Sequence, residues 1–275
     1  MLDFFATYPF LWNAFVASFL VSICAGIIGT IVVSSKSVFL TGGVAHGAFG
    51  GVGLALFFGI NTTIGASVAA VLMALFVAFA SLRYKNFLDS YVAALWSLGM
   101  AIGILCIDVS QGYGRDISSY LFGSILAVST QDLYQIAIFN FVLILFIVVF
   151  YNEILSVFYD SEFCKLKEIN TGFFQIIVFV FIALGIVMSM SVAGLILVVS
   201  ILSIPAYIAN LFTSSLKQQM FLSWFLSLIF MWSGFFMAFS MDLSVGACVV
   251  VVSVLCMILA LCFKVFLRRM IWKKD

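Results

Sequence analysis

Long apolar runs alternate with short polar breaks along the chain, and the runs have the length of bilayer crossings. Nine stretches, roughly 10–33, 38–58, 62–82, 90–108, 133–156, 172–189, 191–212, 219–239 and 244–266, lie near the ~20 residues a helix needs to cross the hydrocarbon core. Apolar residues follow one another there without the alternation of a barrel strand, so helices are predicted. The sixth and seventh runs are parted only by a tight turn near Met188 to Ser191, and eight or ten spans are the alternatives to nine.

Two segments are neither span nor simple loop. Ile117 to Val128 (ISSYLFGSILAV) is too short to cross and reads as a re-entrant or interfacial helix, begun by Asp116 or Ser118 as cap. Asp160 to Asn170 (DSEFCKLKEIN) places Phe163, Leu166 and Ile169 at every third position with charges between them. That pattern predicts a short amphipathic helix, capped by Asp160 or Ser161 and left through Gly172.

Composition turns the hydropathy pattern into an exclusion. Of 275 residues, 65% are hydrophobic and 8% charged, against about 25% charged in a soluble domain. A water-soluble fold cannot hide so much apolar surface, so the chain reads as an all-α polytopic transmembrane bundle, one domain over 1–275. Cys24, Cys106, Cys164, Cys248, Cys256 and Cys262 form no C-x-x-C pair and read as small hydrophobes rather than disulfides or a metal cluster. The Met1-Leu-Asp-Phe-Phe start has no basic n-region, which argues against a cleaved signal peptide.

The net charge of +1 gives no sign of a nucleic-acid partner, but its distribution orients the chain. Lys36, Arg83, Lys85, Lys165, Lys167, Lys217, Lys264, Arg268, Arg269, Lys273 and Lys274 fall on one side of the nine-span pattern, and Arg115 alone falls on the other. Short basic loops stay in the cytoplasm. The C-terminus is therefore expected inside and the N-terminus outside. Asp3, Asp108, Asp116, Asp132 and Asp242 fall on the outer side, making that face mildly attractive to cations.

Candidate chemistry is sparse. Gly43, Gly47 and Gly51 recur every fourth residue in the second span, which makes a flat face for another helix, a main source of association in lipid. His46, the sole histidine, lies one turn from Gly42, Gly43 and Gly50 and so belongs to the packed side. It reads either as a buried imidazole bonded to a carbonyl or as a cation ligand on a pathway. Pro205, within the Gly194 to Ala206 stretch, favours a kink that serves either packing or gating. No H-E-x-x-H, paired intramembrane aspartates or G-x-S-x-G occurs, which leaves an intramembrane enzyme without support. Ser35-Lys36-Ser37 lacks the glycines of a phosphate-binding loop, so any ATP that drives the protein is expected on another chain.

Phe39 to Gly53 with its histidine, Tyr120 to Ser129, Gly194 to Ala206 with its Pro-Ala ending, and Met241 to Ala247 resemble, in order, the motifs of the membrane subunit of bacterial metal-uptake ABC transporters, the zinc/manganese/iron branch. The resemblance covers most of the chain. It implies a non-catalytic permease of the bacterial inner membrane, paired as a homodimer and embedded in lipid. A divalent cation would come from an extracytoplasmic metal-binding protein, ATP hydrolysis would occur on cytoplasmic ATP-binding subunits, and no cofactor would be held tightly. Asp160, Phe163, Cys164, Leu166 and Ile169 would then form the coupling helix that docks on the ATPase. Three departures stand out: Gly42 occupies the family's acidic position four before the histidine, Cys164 replaces an alanine and Ser244 a proline. An ion-gradient-driven secondary transporter and an ABC permease for another small solute are the alternatives, the first disfavoured because nearly all acidic residues lie at span ends.

Overall fold

A computed structural model describes residues 9–83, 87–110, 128–159, 164 and 170–271. Among them there is no strand, and the helices run α1 (Pro9–Cys24, continued through a π-helical turn Ala25–Gly29 into Thr30–Ser34), α2 (Val38–Phe58), α3 (Thr62–Arg83), α4 (Leu88–Val109), α5 (Thr130–Val149), α6 (Tyr151–Tyr159), α7 (Thr171–Ala193), α8 (Leu195–Phe212), α9 (Leu216–Met241) and α10 (Val245–Ile271). All but α6 are long and apolar enough to cross a membrane, which makes nine spans among the described residues. The chain is a multi-pass membrane protein.

Three boundaries differ from the hydropathy reading. The fifth span does not run 133–156 but begins at Thr130, because Ser129 and Asp132 form a reciprocal capping box that satisfies the first free amides. It ends at Phe150, whose amide still reaches the Phe146 carbonyl, and Tyr151 then starts the separate α6. Twenty residues already span about 30 Å, so Asn152 and Glu153 lie beyond the hydrocarbon core. The turn between the sixth and seventh spans is not at 188–191 but at Gly194, with φ 83° and ψ 162°, a backbone region open to glycine and almost nothing else. Ser191 stays helical by donating its hydroxyl to the Met188 carbonyl. Gly172 is no helix exit either. It sits in the first turn of α7, where the Asn170 side chain accepts from the Phe173 amide.

Small residues set the core. α2 is the most buried of the nine spans although it is the least hydrophobic, since in lipid the close approach of backbones outweighs apolarity as a reason to bury a helix. Around it α1, α7 and α8 contribute Ile28, Ile182, Ile186, Leu197 and Ile201, all fully buried. Cys24 joins this core with its thiol donating to the Gly185 carbonyl at 3.7 Å, and Cys248 is also buried. The outer faces of α4, α5 and α10 are apolar and exposed, with Leu105, Phe141 and Leu259 pointing away from the bundle.

Polar contacts tie helix ends to one another at one end of the bundle. Ser34 donates to Gln219 Oε1 at 3.2 Å, Gln175 donates to Ser81 at 2.8 Å, and Lys217 lies over the Tyr151 ring at 4.5 Å. These contacts gather the loops bearing Lys36, Arg83 and Lys217 at one end of the bundle, whereas Asn13 reaches the Val128 carbonyl at the other.

Candidate functional site

The glycines of α2 face two neighbours rather than one. Gly43 and Gly47 meet Val92 on α4 and Met73 on α3, and Gly51 abuts the Gly65 carbonyl and Ala69 on α3. Gly50 and Gly53 abut the backbones of Gly99 and Gly103 on α4; a Cβ at either α2 position would lie 2.6 Å from a carbonyl oxygen. The three helices are thus joined backbone to backbone. Gly99 and Gly103 share a face with Trp96 by their spacing, and that spacing was the available signal for α4 as the partner helix.

His46 is half-buried at this junction. Its imidazole stacks on the Trp96 indole, with ring centroids 4.4 Å apart and planes 11° from parallel. Gly42, one turn earlier, lies beneath the same indole: a Cβ there would be 3.6 Å from the ring edge. Phe39 tilts against Trp96 one turn earlier still, at 6.0 Å. The tryptophan therefore fills the space that Gly42 leaves open and covers the histidine. The Nδ1 of the imidazole is buried without a hydrogen-bond partner among the described residues. A stack of this kind contributes about 0.5–1.5 kcal/mol, while an unpaired buried polar atom costs about 1–3 kcal/mol. The two contributions are of similar size, so the stack largely offsets the cost of the unpaired nitrogen. Among the described residues no three His, Cys, Asp or Glu side chains converge as a metal site.

The other predicted site residues lie elsewhere. Gly194 makes the α7–α8 turn, and Pro205 is buried inside α8 close to where α8 crosses α1, with Gly29 against the Leu202 carbonyl and Ala206. Gln219 ties that crossing together by accepting from Ser34 and donating to the Ala206 carbonyl at 3.3 Å. Nothing in its sequence neighbourhood marked Gln219, since it stands beside Gln218 and Lys217 in a polar break, where an amide carries no spacing signal. Of the amphipathic segment, Asp160, Phe163, Leu166 and Ile169 lie outside the described residues, as do 117–127, and Cys164 is helical and buried. Beside α6, which leads into that segment, a polar pocket of about 410 Å³ is lined by Ser35, Lys36, Ser37, Ser81, Phe158 and Gln175. Lys36 adopts φ 56° in the α1–α2 turn and so enters the pocket wall instead of extending a helix.

Comparison with known proteins matches residues 7–264 to the ABC 3 transport family. An uncharacterized membrane protein of Synechocystis is 37% identical, covering 94% of this chain and 92% of its own. A probable metal transport system membrane protein of Chlamydia trachomatis is 32% identical, covering 86% and 83%. Among solved structures, PsaBC from Streptococcus pneumoniae in complex with a Fab superposes with a TM-score of 0.84 at 26% identity, over 94% of this chain and 93% of that one.

Proposed function

Because the chain belongs to the ABC 3 transport family, we propose that it is the permease of a metal importer, carrying a divalent cation such as zinc, manganese or iron across the inner membrane. The observation that carries this reading is the correspondence over most of the chain to a protein named for metal transport, with the sole histidine held inside a membrane span and its Nδ1 without a partner among the described residues. In this mechanism the cation, delivered by an extracytoplasmic binding protein, passes His46 between α2 and α4. Imidazole is a borderline ligand that accepts several divalent metals, so the choice of metal rests largely on the binding protein.

The α2–α4 seam is a suitable place for rearrangement. Its backbones are in contact through glycines, so a small rotation of α4 is enough to move Trp96 off His46. Pro205 removes one backbone hydrogen bond from α8 and gives that helix a point of bending where it crosses α1. At the basic end, which this reading places in the cytoplasm, the segment with Asp160, Phe163, Cys164, Leu166 and Ile169 docks on a separate ATPase subunit. Closure of two such subunits on ATP moves a permease homodimer between outward and inward states.

The test is uptake into liposomes containing the permease, its ATPase and its binding protein, with each metal in turn. ATP-dependent accumulation is expected. His46→Ala should lower it severalfold at unchanged protein level and melting temperature, since the histidine contributes no net stability. Metal accumulation without ATP or partners, or full uptake by His46→Ala, would refute the reading.

A further inference from the structure

On the outer surface of the bundle, α1, α5, α6 and α9 enclose a groove of about 480 Å³. Ile27, Ile144, Ile147, Met220 and Phe221 make its walls apolar, and among the described residues Lys217 is the one charged side chain lining it. Lys217 stands at the basic end, with its ammonium over the Tyr151 ring at 4.5 Å. It is the second residue of α9, after the Ser215 cap, so the positive end of that helix adds to its charge. The groove is therefore an apolar trough within the span whose mouth, at headgroup level, is cationic.

We propose that this groove binds an anionic phospholipid, with the phosphate at Lys217 and an acyl chain laid along the isoleucines. Charge complementarity favours a lipid over a second protein chain: a basic group beside an apolar intramembrane groove matches an anionic headgroup joined to a hydrocarbon tail. Trp224 lines the same groove two turns along α9 from Lys217. The site is independent of the cargo and stands whatever the permease carries.

Trp224 makes the site directly observable, because bromine on an acyl chain quenches a tryptophan it touches. The full-length protein in detergent is titrated with brominated phosphatidylglycerol or brominated phosphatidylcholine, and the Trp224 signal is taken as the difference between wild type and Trp224→Phe. Phosphatidylglycerol should quench that signal at a lower mole fraction than phosphatidylcholine. Lys217→Ala should remove the preference, a shift on the order of fivefold for one surface cation, and Lys217→Arg should retain it. Equal quenching by both lipids, or a preference that survives Lys217→Ala, would overturn the proposal. So would a Trp224 signal that neither lipid quenches, the result expected if a second copy of the permease covers the groove.

Discussion

Replacing Gly99 with alanine tests the central claim that backbone contact holds α2 and α4 together. A Cβ on Gly99 would lie 2.5 Å from the Gly47 Cα and 2.6 Å from its carbonyl oxygen, where non-bonded carbons prefer about 3.5–4.0 Å. Neither partner is a side chain that can rotate away, so the helices must part by about 1 Å. Overpacking of this kind costs about 1–3 kcal/mol, and a backbone-to-backbone clash belongs at the upper end. The better helix propensity of alanine returns about 0.5–1 kcal/mol, leaving a net loss of about 2 kcal/mol. Gly42→Ala is the matched control: its Cβ meets only the Trp96 ring edge at 3.6 Å, so the propensity gain remains and the variant should be slightly more stable. The assay is thermal unfolding in detergent at a fixed scan rate, followed by a thiol-reactive dye that reports exposure of the buried Cys24 and Cys248. At about 2–4 °C per kcal/mol for a chain of this size, Gly99→Ala should melt some 4–8 °C lower and Gly42→Ala no lower than wild type. If the two variants melt together, close approach is not what holds this seam.

Two other variants probe the remaining elements. Gly194→Ala forces a side chain into φ 83°, ψ 162°; about 1–3 kcal/mol of strain should appear as a lowered melting temperature in the same dye assay. Phe163→Asp with Leu166→Asp should abolish co-purification of the ATPase while leaving the permease's melting temperature unchanged, and retained co-purification would remove that segment from the docking surface.

Particular residues show how far the sequence could be read. Nine spans and the flat glycine face of α2 follow from residue type and order, the first because it concerns the transfer of segments between water and lipid, the second because glycine at every fourth position leaves one helix face without side chains. The break at Phe150 was hidden because Tyr151 to Tyr159 carries enough apolar residues to extend the hydropathy run, and only the cap at Ser129 shows that the crossing was already complete. Likewise, an apolar run read two ways near residue 190 until the backbone of Gly194 placed the turn.

His46 marks the boundary between the two kinds of knowledge. Its place on the packed side of α2 was legible from the glycines around it, and Gly42 showed that a carboxylate one turn away is lacking. That a tryptophan fifty residues later fills the resulting space and stacks on the imidazole was not legible. Lipid tails are as apolar as leucine, so burial in the membrane does not by itself choose which helix faces meet; contact between shapes does. Sequence alone determined what enters the bilayer, how many times, and which helix approaches its neighbours most closely. Only the tertiary structure decided which neighbours those are, what covers the histidine, and where a basic residue meets an apolar groove.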